Sequence, residues 1–168
     1  AMGRDVSNIY SEINRLDFIK QDGFSVRCIK GNANTVTDID GNVYNTVTIG
    51  SQVWMAENLK VTHYRNGDYI PYIYCPDGGD WADAQVAYDC NEANANIYGR
   101  LYNWGAMADG RKIAPAGWHV PTDAEWQILV DFLGDSTTAG GKMKEAGTAH
   151  WFAPNTDATN ESGFSALP

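Results

Sequence analysis

The chain has 168 residues, of which 43% are hydrophobic and 20% are charged, and its formal net charge is −9. This length and balance are typical of one folded domain and exclude an intrinsically disordered chain. The negative charge disfavours nucleic acids and heparin-like polymers as partners, because both are polyanions. No apolar run approaches the roughly 20 residues of a membrane-spanning helix, so we expect no membrane insertion.

Alternation of apolar and polar residues predicts a small antiparallel sheet in the first part of the chain. We exclude residues 1–3, which resemble an expression-vector scar. We expect residues 24–29 and 43–49 to be neighbouring antiparallel strands, and residues 6–10 to supply at most one further strand. Three strands are predicted most clearly, with a turn at 40–41: residues 24–30, 43–49 and 52–55.

The region from residue 62 to residue 97 has little periodicity and is rich in Asp, Asn, Gly, Tyr and Pro. A loop of this length is usually functional or covalently stapled. We predict a disulfide between Cys75 and Cys90, which implies an extracellular compartment, and a buried free thiol at Cys28. Aromatic platforms beside hydrogen-bonding groups are typical of sugar sites, and six candidate ligand-binding residues of these types occur here: Asn66, Tyr72, Tyr74, Asp77, Asp80 and Trp81.

Three helices are predicted in the second half of the chain. The first covers residues 98–108 and the third covers residues 139–146. The second begins with a capping box between Thr122 and Glu125 and ends at Gly134. Its apolar residues recur at helical spacing: Trp126, Leu129, Val130 and Leu133. The predicted class is α+β, with a small twisted antiparallel sheet, two or three helices and long loops.

The motifs of common enzyme classes are missing from the sequence. It contains no G-x-S-x-G, no H-E-x-x-H and no phosphate-binding glycine loop, so we predict no catalytic residue, no metal ligand and no cofactor. Residues 38–42 begin like a calcium loop, but the glycine is two positions early and Ile49 replaces the bidentate glutamate. We interpret this segment as a hairpin turn. Calcium binding at the acidic loop around Trp81 stays an alternative.

Five segments of the chain resemble one protein family when they are taken in order: residues 38–44 (DIDGNVY), 53–59 (VWMAENL), 98–104 (YGRLYNW), 117–122 (GWHVPT) and 141–145 (GKMKE). Together they resemble the Fibrobacter succinogenes major paralogous domain. The resemblance implies a C-type-lectin-like fold. It also implies a secreted or surface protein of Bacteroidetes-type bacteria, often in tandem copies or lipoprotein-anchored.

The order of the segments departs from that family. Residues 23–28 resemble its last strand, and the family continues past residues 164–168 with two more core strands. We therefore divide the chain into residues 4–30, which resemble the C-terminal end of the family domain, and residues 31–168, which resemble its N-terminal and central parts. Such a chain is permuted or cut across two tandem copies. We expect strands from elsewhere to finish its sheet, for instance by exchange with another copy of the chain.

Two functions are predicted from these features. The first is an extracellular recognition or adhesion module that binds a glycan or a protein at the cell surface through the region 62–97. The second is a structural repeat of a surface fibre or adhesin without a small ligand. A third alternative is an enzyme, because residues 117–126 resemble formylglycine-generating enzymes. Those enzymes rely on a late cysteine pair, and no cysteine follows Cys90.

Overall fold

The computed structural model describes residues 2–17, 23–30, 34–71, 87–88 and 92–168. The strands are β1 Met2–Val6, β2 Ile13–Asp17, β3 Phe24–Ser25, β4 Ile29–Lys30, β5 Thr35–Thr37, β6 Val43–Ile49, β7 Gln52–Met55, β8 Ala87–Tyr88 and β9 Leu101–Tyr102. The helices are α1 Glu92–Tyr98, α2 Trp104–Ala108, α3 Asp123–Leu133 and α4 Ala139–Met143. The predicted α+β class is confirmed.

The strands form three small antiparallel sheets. β1 and β2 pair as a separate hairpin, β3, β9 and β8 form a sheet in that order, and the third sheet has the order β4–β7–β6–β5. The predicted antiparallel sheet in the first 60 residues is therefore present, and β7 lies inside it.

Within the described part of the chain, no helix is long and apolar enough to cross a membrane.

The four-stranded sheet is covered on both faces, so β7 is buried along its whole length. Successive side chains of a strand point to opposite faces. Val53 and Met55 accordingly join one core cluster, and Trp54 joins the other. The second cluster lies between the sheet and α3, where Leu129 and Leu133 are buried. The predicted packing of α3 near the sheet is thus confirmed.

The predicted pairing of residues 24–29 with residues 43–49 is wrong. β6 and β7 form a hairpin through the turn at Gly50, and Ile29 pairs with Trp54 on the other edge of β7. β7 therefore separates β4 from β6. The predicted strand is also split, because the backbone turns away between Ser25 and Ile29, where the Val26 carbonyl accepts from the Leu59 N–H at 2.7 Å.

The predicted helix over residues 98–108 is confirmed over residues 104–108 and wrong over residues 99–103. α1 ends at Tyr98, and Gly99 has φ of +75°. A Cβ at that position would lie 2.6 Å from the Cβ of Asn58, so only glycine fits this close approach. The chain then forms β9 before Asn103 caps α2 by accepting from the Ala106 N–H at 3.0 Å. The third predicted helix is present, but it ends at Met143.

The N-terminal hairpin differs from the expected strand over residues 6–10. Met2 pairs with Asp17 and Gly3 pairs with Leu16, so residues set aside as a scar are part of β1. The strand ends at Val6. The following residues cannot continue it, because their carbonyls turn inward to a buried cation.

That cation is the ammonium group of Lys144, whose residue is fully buried. It donates to the carbonyls of Ser7, Tyr10 and Thr156, each at 2.8 Å. Three donors on one ammonium match three acceptors, so the charge is solvated by the backbone in place of water. Burial lowers the pKa of Lys144, and Asp157 opposes that effect. Lys144 therefore fastens the N-terminal hairpin to the C-terminal segment.

We expect Lys144→Met to lower the free energy of unfolding by about 3 kcal/mol, because three inward carbonyls lose their donor. Urea denaturation measures this. The matched control is Lys142→Met, because Lys142 is partly exposed and its ammonium group lies 4.0 Å from the Glu161 carboxylate. We expect the control to change stability by less than about 0.5 kcal/mol. Equal losses in both variants would contradict the bridging role of Lys144.

Candidate functional site

A mostly apolar groove of about 1010 Å³ opens between the N-terminal hairpin, β3, α2, the start of α3 and the C-terminal segment. We call it the aromatic groove. Its apolar lining comes from distant parts of the chain: Val6, Ile13, Phe24, Val26, Leu101, Trp104, Met107, Ala108, Val120, Pro121, Trp126, Met143, Trp151, Phe164, Ala166, Leu167 and Pro168. The groove is thus assembled by tertiary structure.

One wall of the aromatic groove is made by β9 and α2. Leu101 exposes 39% of its surface and Trp104 exposes 43%. The cap at Asn103 fixes the start of α2 and so orients Trp104, its first residue. Apolar side chains that stay open in a preformed groove are typical of a binding surface.

A buried arginine lies at the floor of the aromatic groove. Arg27 is 5% exposed, and its Nε donates to Asn58 Oδ1 at 2.7 Å. Its Nη groups donate to the carbonyls of Phe164 and Ser165, the latter at 2.7 Å. The guanidinium also lies 4.4 Å from the centre of the Phe164 ring. Burial lowers its pKa to about 9, although Glu57 acts in the opposite direction. Arg27 therefore stays charged at neutral pH, with its donors engaged.

The start of α3 forms another edge of the groove through the predicted capping box. The Thr122 hydroxyl accepts from the Glu125 N–H at 3.3 Å, and a Glu125 carboxylate oxygen accepts from the Thr122 N–H at 2.8 Å. His119 Nε2 lies 2.7 Å from the other oxygen. Partial burial acts to raise the pKa of Glu125, but the bonds from Thr122 and His119 outweigh it and lower the pKa.

The charges at the rim of the groove are unevenly engaged. Arg4 and Arg15 both donate to one oxygen of Asp123, at 3.0 and 3.1 Å. Asp5 and Asp17 are exposed and form no ion pair with any residue that the structure describes. The described charges at the groove and its rim therefore balance, with Arg4, Arg15 and Arg27 against Asp5, Asp17 and Asp123.

Of the candidate ligand-binding residues predicted from the sequence, Asn66 is the one in the described part of the chain, and it does not line the groove. It lies in an exposed turn, where its side chain bonds to Asp68. The other candidates and the predicted disulfide lie outside the described residues: Tyr72, Tyr74, Asp77, Asp80, Trp81, Cys75 and Cys90. The groove was missed because its lining is non-contiguous. The only local signal is the spacing of Leu101, Trp104 and Met107, which lie within the helix predicted over residues 98–108.

Two smaller predictions concern Cys28 and the turn after β5. Cys28 is a free thiol and fully buried, and burial raises its pKa to about 12. Residues 38–42 form the predicted turn, because the Asp38 carboxylate accepts from the Asp40 N–H, the Asn42 side chain and the Tyr44 hydroxyl. Among the described residues, no three His, Cys, Asp or Glu side chains are placed to hold a metal.

The described residues form a small α+β module with a mostly apolar groove. Residues 47–168 match the Fibrobacter succinogenes major domain, and the chain belongs to this family. No curated protein and no solved structure matches the chain. The C-type-lectin-like likeness therefore stays a prediction from the family resemblance. The match begins inside β6, so it does not test the division at residue 30.

We expect Glu125→Gln to lower the free energy of unfolding by about 1 kcal/mol at neutral pH, because it weakens the capping box. A carboxyl group whose pKa is lower in the folded chain than in the unfolded chain stabilises the fold at pH values above its unfolded pKa. That stabilisation is lost as the pH falls through the folded pKa. The difference in the free energy of unfolding between wild type and Glu125→Gln should therefore disappear at acidic pH. Urea denaturation at several pH values measures it, with Asp131→Asn on the same helix as the control. A gap that is independent of pH would contradict this role.

Proposed function

We propose that the chain is a non-catalytic recognition module of a cell-surface or secreted protein, and that it binds a polypeptide segment in the aromatic groove. The observation that carries the proposal is the groove itself, because about 1010 Å³ of mostly apolar space stays open in a chain of this size. Interface cores are enriched in aromatic residues and methionine, and this lining has both. Trp104 and Met107 are examples at its open wall.

The chemistry of the lining favours a polypeptide over a sugar. Sugar sites need many hydrogen-bonding groups beside an aromatic platform, whereas the polar groups at the floor are already used within the chain. Arg27 and Asn58 bond to each other, and Asn58 also donates to the Tyr98 carbonyl at 2.8 Å. The glycan hypothesis depends on the region 62–97, and no residue of that region is among the described residues that line the groove.

The lining also favours binding over catalysis. Among the described residues that line the groove there is no histidine, cysteine or lysine. The hydroxyl of Thr122 is engaged in the capping box, and the cations Arg4 and Arg27 are held by Asp123 and by backbone carbonyls. These observations support a module that recognises a partner.

Selection from a library of random peptides tests the proposal, with a glycan array in parallel. We expect enriched apolar peptides whose affinity for Leu101→Ser is at least about tenfold weaker, because burial of a leucine is lost. The matched control is Ile97→Ser, because Ile97 is an aliphatic residue outside the groove with 50% exposure. We expect the control to keep the affinity.

Two results would overturn the proposal. The first is the absence of any peptide that discriminates Leu101→Ser from Ile97→Ser. The second is a set of glycan hits that Leu101→Ser retains, which would place the ligand outside the groove. Circular dichroism of both variants checks that each is folded.

A further inference from the structure

We infer that Asn66 is a self-modifying site, at which the side-chain amide is lost as ammonia and the residue becomes aspartate or isoaspartate. The observation that carries the inference is an exposed turn, in which the Asn66 side chain is folded back to Asp68 by two hydrogen bonds. Asn66 does not line the groove, so this modification and the proposed function are independent of each other.

The residue after Asn66 is Gly67, and the sequence contains no other Asn-Gly pair. Deamidation begins when the backbone nitrogen of the following residue attacks the side-chain carbonyl carbon, and a side chain on that residue obstructs the approach. Glycine has no Cβ, and its φ of +90° here is a conformation that glycine adopts without strain. Apart from the adjoining residues, no atom of the described chain lies within 4 Å of the place that a Cβ of Gly67 would occupy.

A short hairpin over residues 62–70 presents this pair at its tip. The Tyr64 N–H donates to the Asp68 carbonyl at 2.7 Å, and residues 66–68 beyond it are exposed. A base in the solvent can therefore reach the Gly67 nitrogen. The Gly67 N–H donates to the Tyr64 carbonyl at 2.8 Å, and this bond must open before the nitrogen loses its proton. Local opening at an exposed turn costs little free energy.

The turn also activates the side-chain carbonyl of Asn66. Its Oδ1 accepts from the Asp68 N–H at 3.1 Å. The ring that this hydrogen bond closes contains both reacting atoms, Asn66 Cγ and Gly67 N, so it restricts the rotations that would separate them. The same N–H stabilises the negative charge that develops on Oδ1 during the attack.

The neighbouring carboxylate is partly neutralised. Asn66 Nδ2 donates to Asp68 Oδ2 at 2.9 Å, and Arg111 Nη1 lies 3.3 Å from the same oxygen. The negative charge of Asp68 would otherwise oppose the charge that develops on Asn66 Oδ1. Arg111 therefore reduces a repulsion that would slow the reaction.

Water is the only co-reactant that the reaction needs. A solvent base removes the Gly67 amide proton, and the electron pair of that nitrogen forms a bond to Asn66 Cγ. The bond from Cγ to Nδ2 then breaks, and Nδ2 takes a proton from solvent and leaves as ammonia. Water adds to either carbonyl carbon of the resulting succinimide ring. Opening of the ring gives aspartate in one case and isoaspartate in the other.

The product changes the charge and the backbone of the turn. A second carboxylate stands beside Asp68, and the donor that Nδ2 supplied to Asp68 is lost. Like charges this close repel each other. In isoaspartate the main chain also runs through the former side chain, which lengthens the turn by one carbon atom. The modification therefore adds one negative charge and weakens the hairpin over residues 62–70.

The test is intact-mass measurement and peptide mapping of the full chain during incubation at physiological temperature, at neutral and mildly alkaline pH. Electron-transfer fragmentation distinguishes aspartate from isoaspartate. The control within the same sample is Asn96, which is also exposed but precedes the β-branched Ile97. The variants are Gly67→Ala, which places a methyl group in the path of attack, and Asn66→Gln, whose longer side chain would have to form a larger ring.

We expect loss of ammonia to be at least about tenfold faster at Asn66 than at Asn96, because the Ile97 side chain obstructs the attack there. The rate at Asn66 should rise with pH, since the attacking nitrogen must lose its proton. Gly67→Ala should slow the loss about tenfold or more, and Asn66→Gln should abolish it. Both aspartate and isoaspartate should be found at position 66.

Two results would overturn the inference. The first is an equal rate, or no reaction, at Asn66 and Asn96 in the folded chain. The second is an Asn66 that stays intact in the folded chain but reacts in urea, which would show that the bond from Gly67 to Tyr64 protects the site. Circular dichroism checks that Gly67→Ala is folded, and the comparison of Asn66 with Asn96 in the wild type holds whether or not it is.

Discussion

The contacts of the buried Arg27 guanidinium are the interaction on which the groove depends. An unpaired charge in a protein interior is strongly unfavourable, so this side chain can stay buried only while its acceptors stay in place. Two of those acceptors are the carbonyls of Phe164 and Ser165, at the end of a segment without helices or strands after α4. The charge therefore fixes an irregular segment against the β3–β4 region, and that segment becomes the floor of the groove.

The four-stranded sheet explains why the groove is preformed. Its two faces support separate core clusters, and Trp54 links the second cluster to Trp126 and Phe164 with ring centres 4.8 and 5.7 Å away. Trp126 and Phe164 also line the groove. The walls are consequently the outer surface of the core, and they need no ligand to hold their positions. A preorganised surface loses less entropy when it binds.

The features that could be predicted from the sequence are those specified by neighbouring residues. The capping box of Thr122 and Glu125, the end of α3 at Gly134 and the burial of Cys28 in an apolar alternation are local patterns. The partner of β4 could not be predicted, because alternation shows which face is buried and not which strand lies alongside. The groove depends on segments that are far apart in sequence, so apart from the spacing of Leu101, Trp104 and Met107 the sequence carries no signal for its position.

Dissolved salt affects the buried charges of the fold and the exposed charges at the groove rim to different extents. Lys144 and Arg27 are buried, and neutral carbonyl oxygens hold them, so dissolved salt screens these contacts very little. Asp5 and Asp17 are exposed, where screening acts within about 8 Å at physiological ionic strength. A rise in salt therefore screens the charges at the rim without loosening the floor and walls of the groove. The shape of the groove is consequently set by buried contacts that salt hardly weakens, whereas the fields of its rim charges extend only a short distance into solvent.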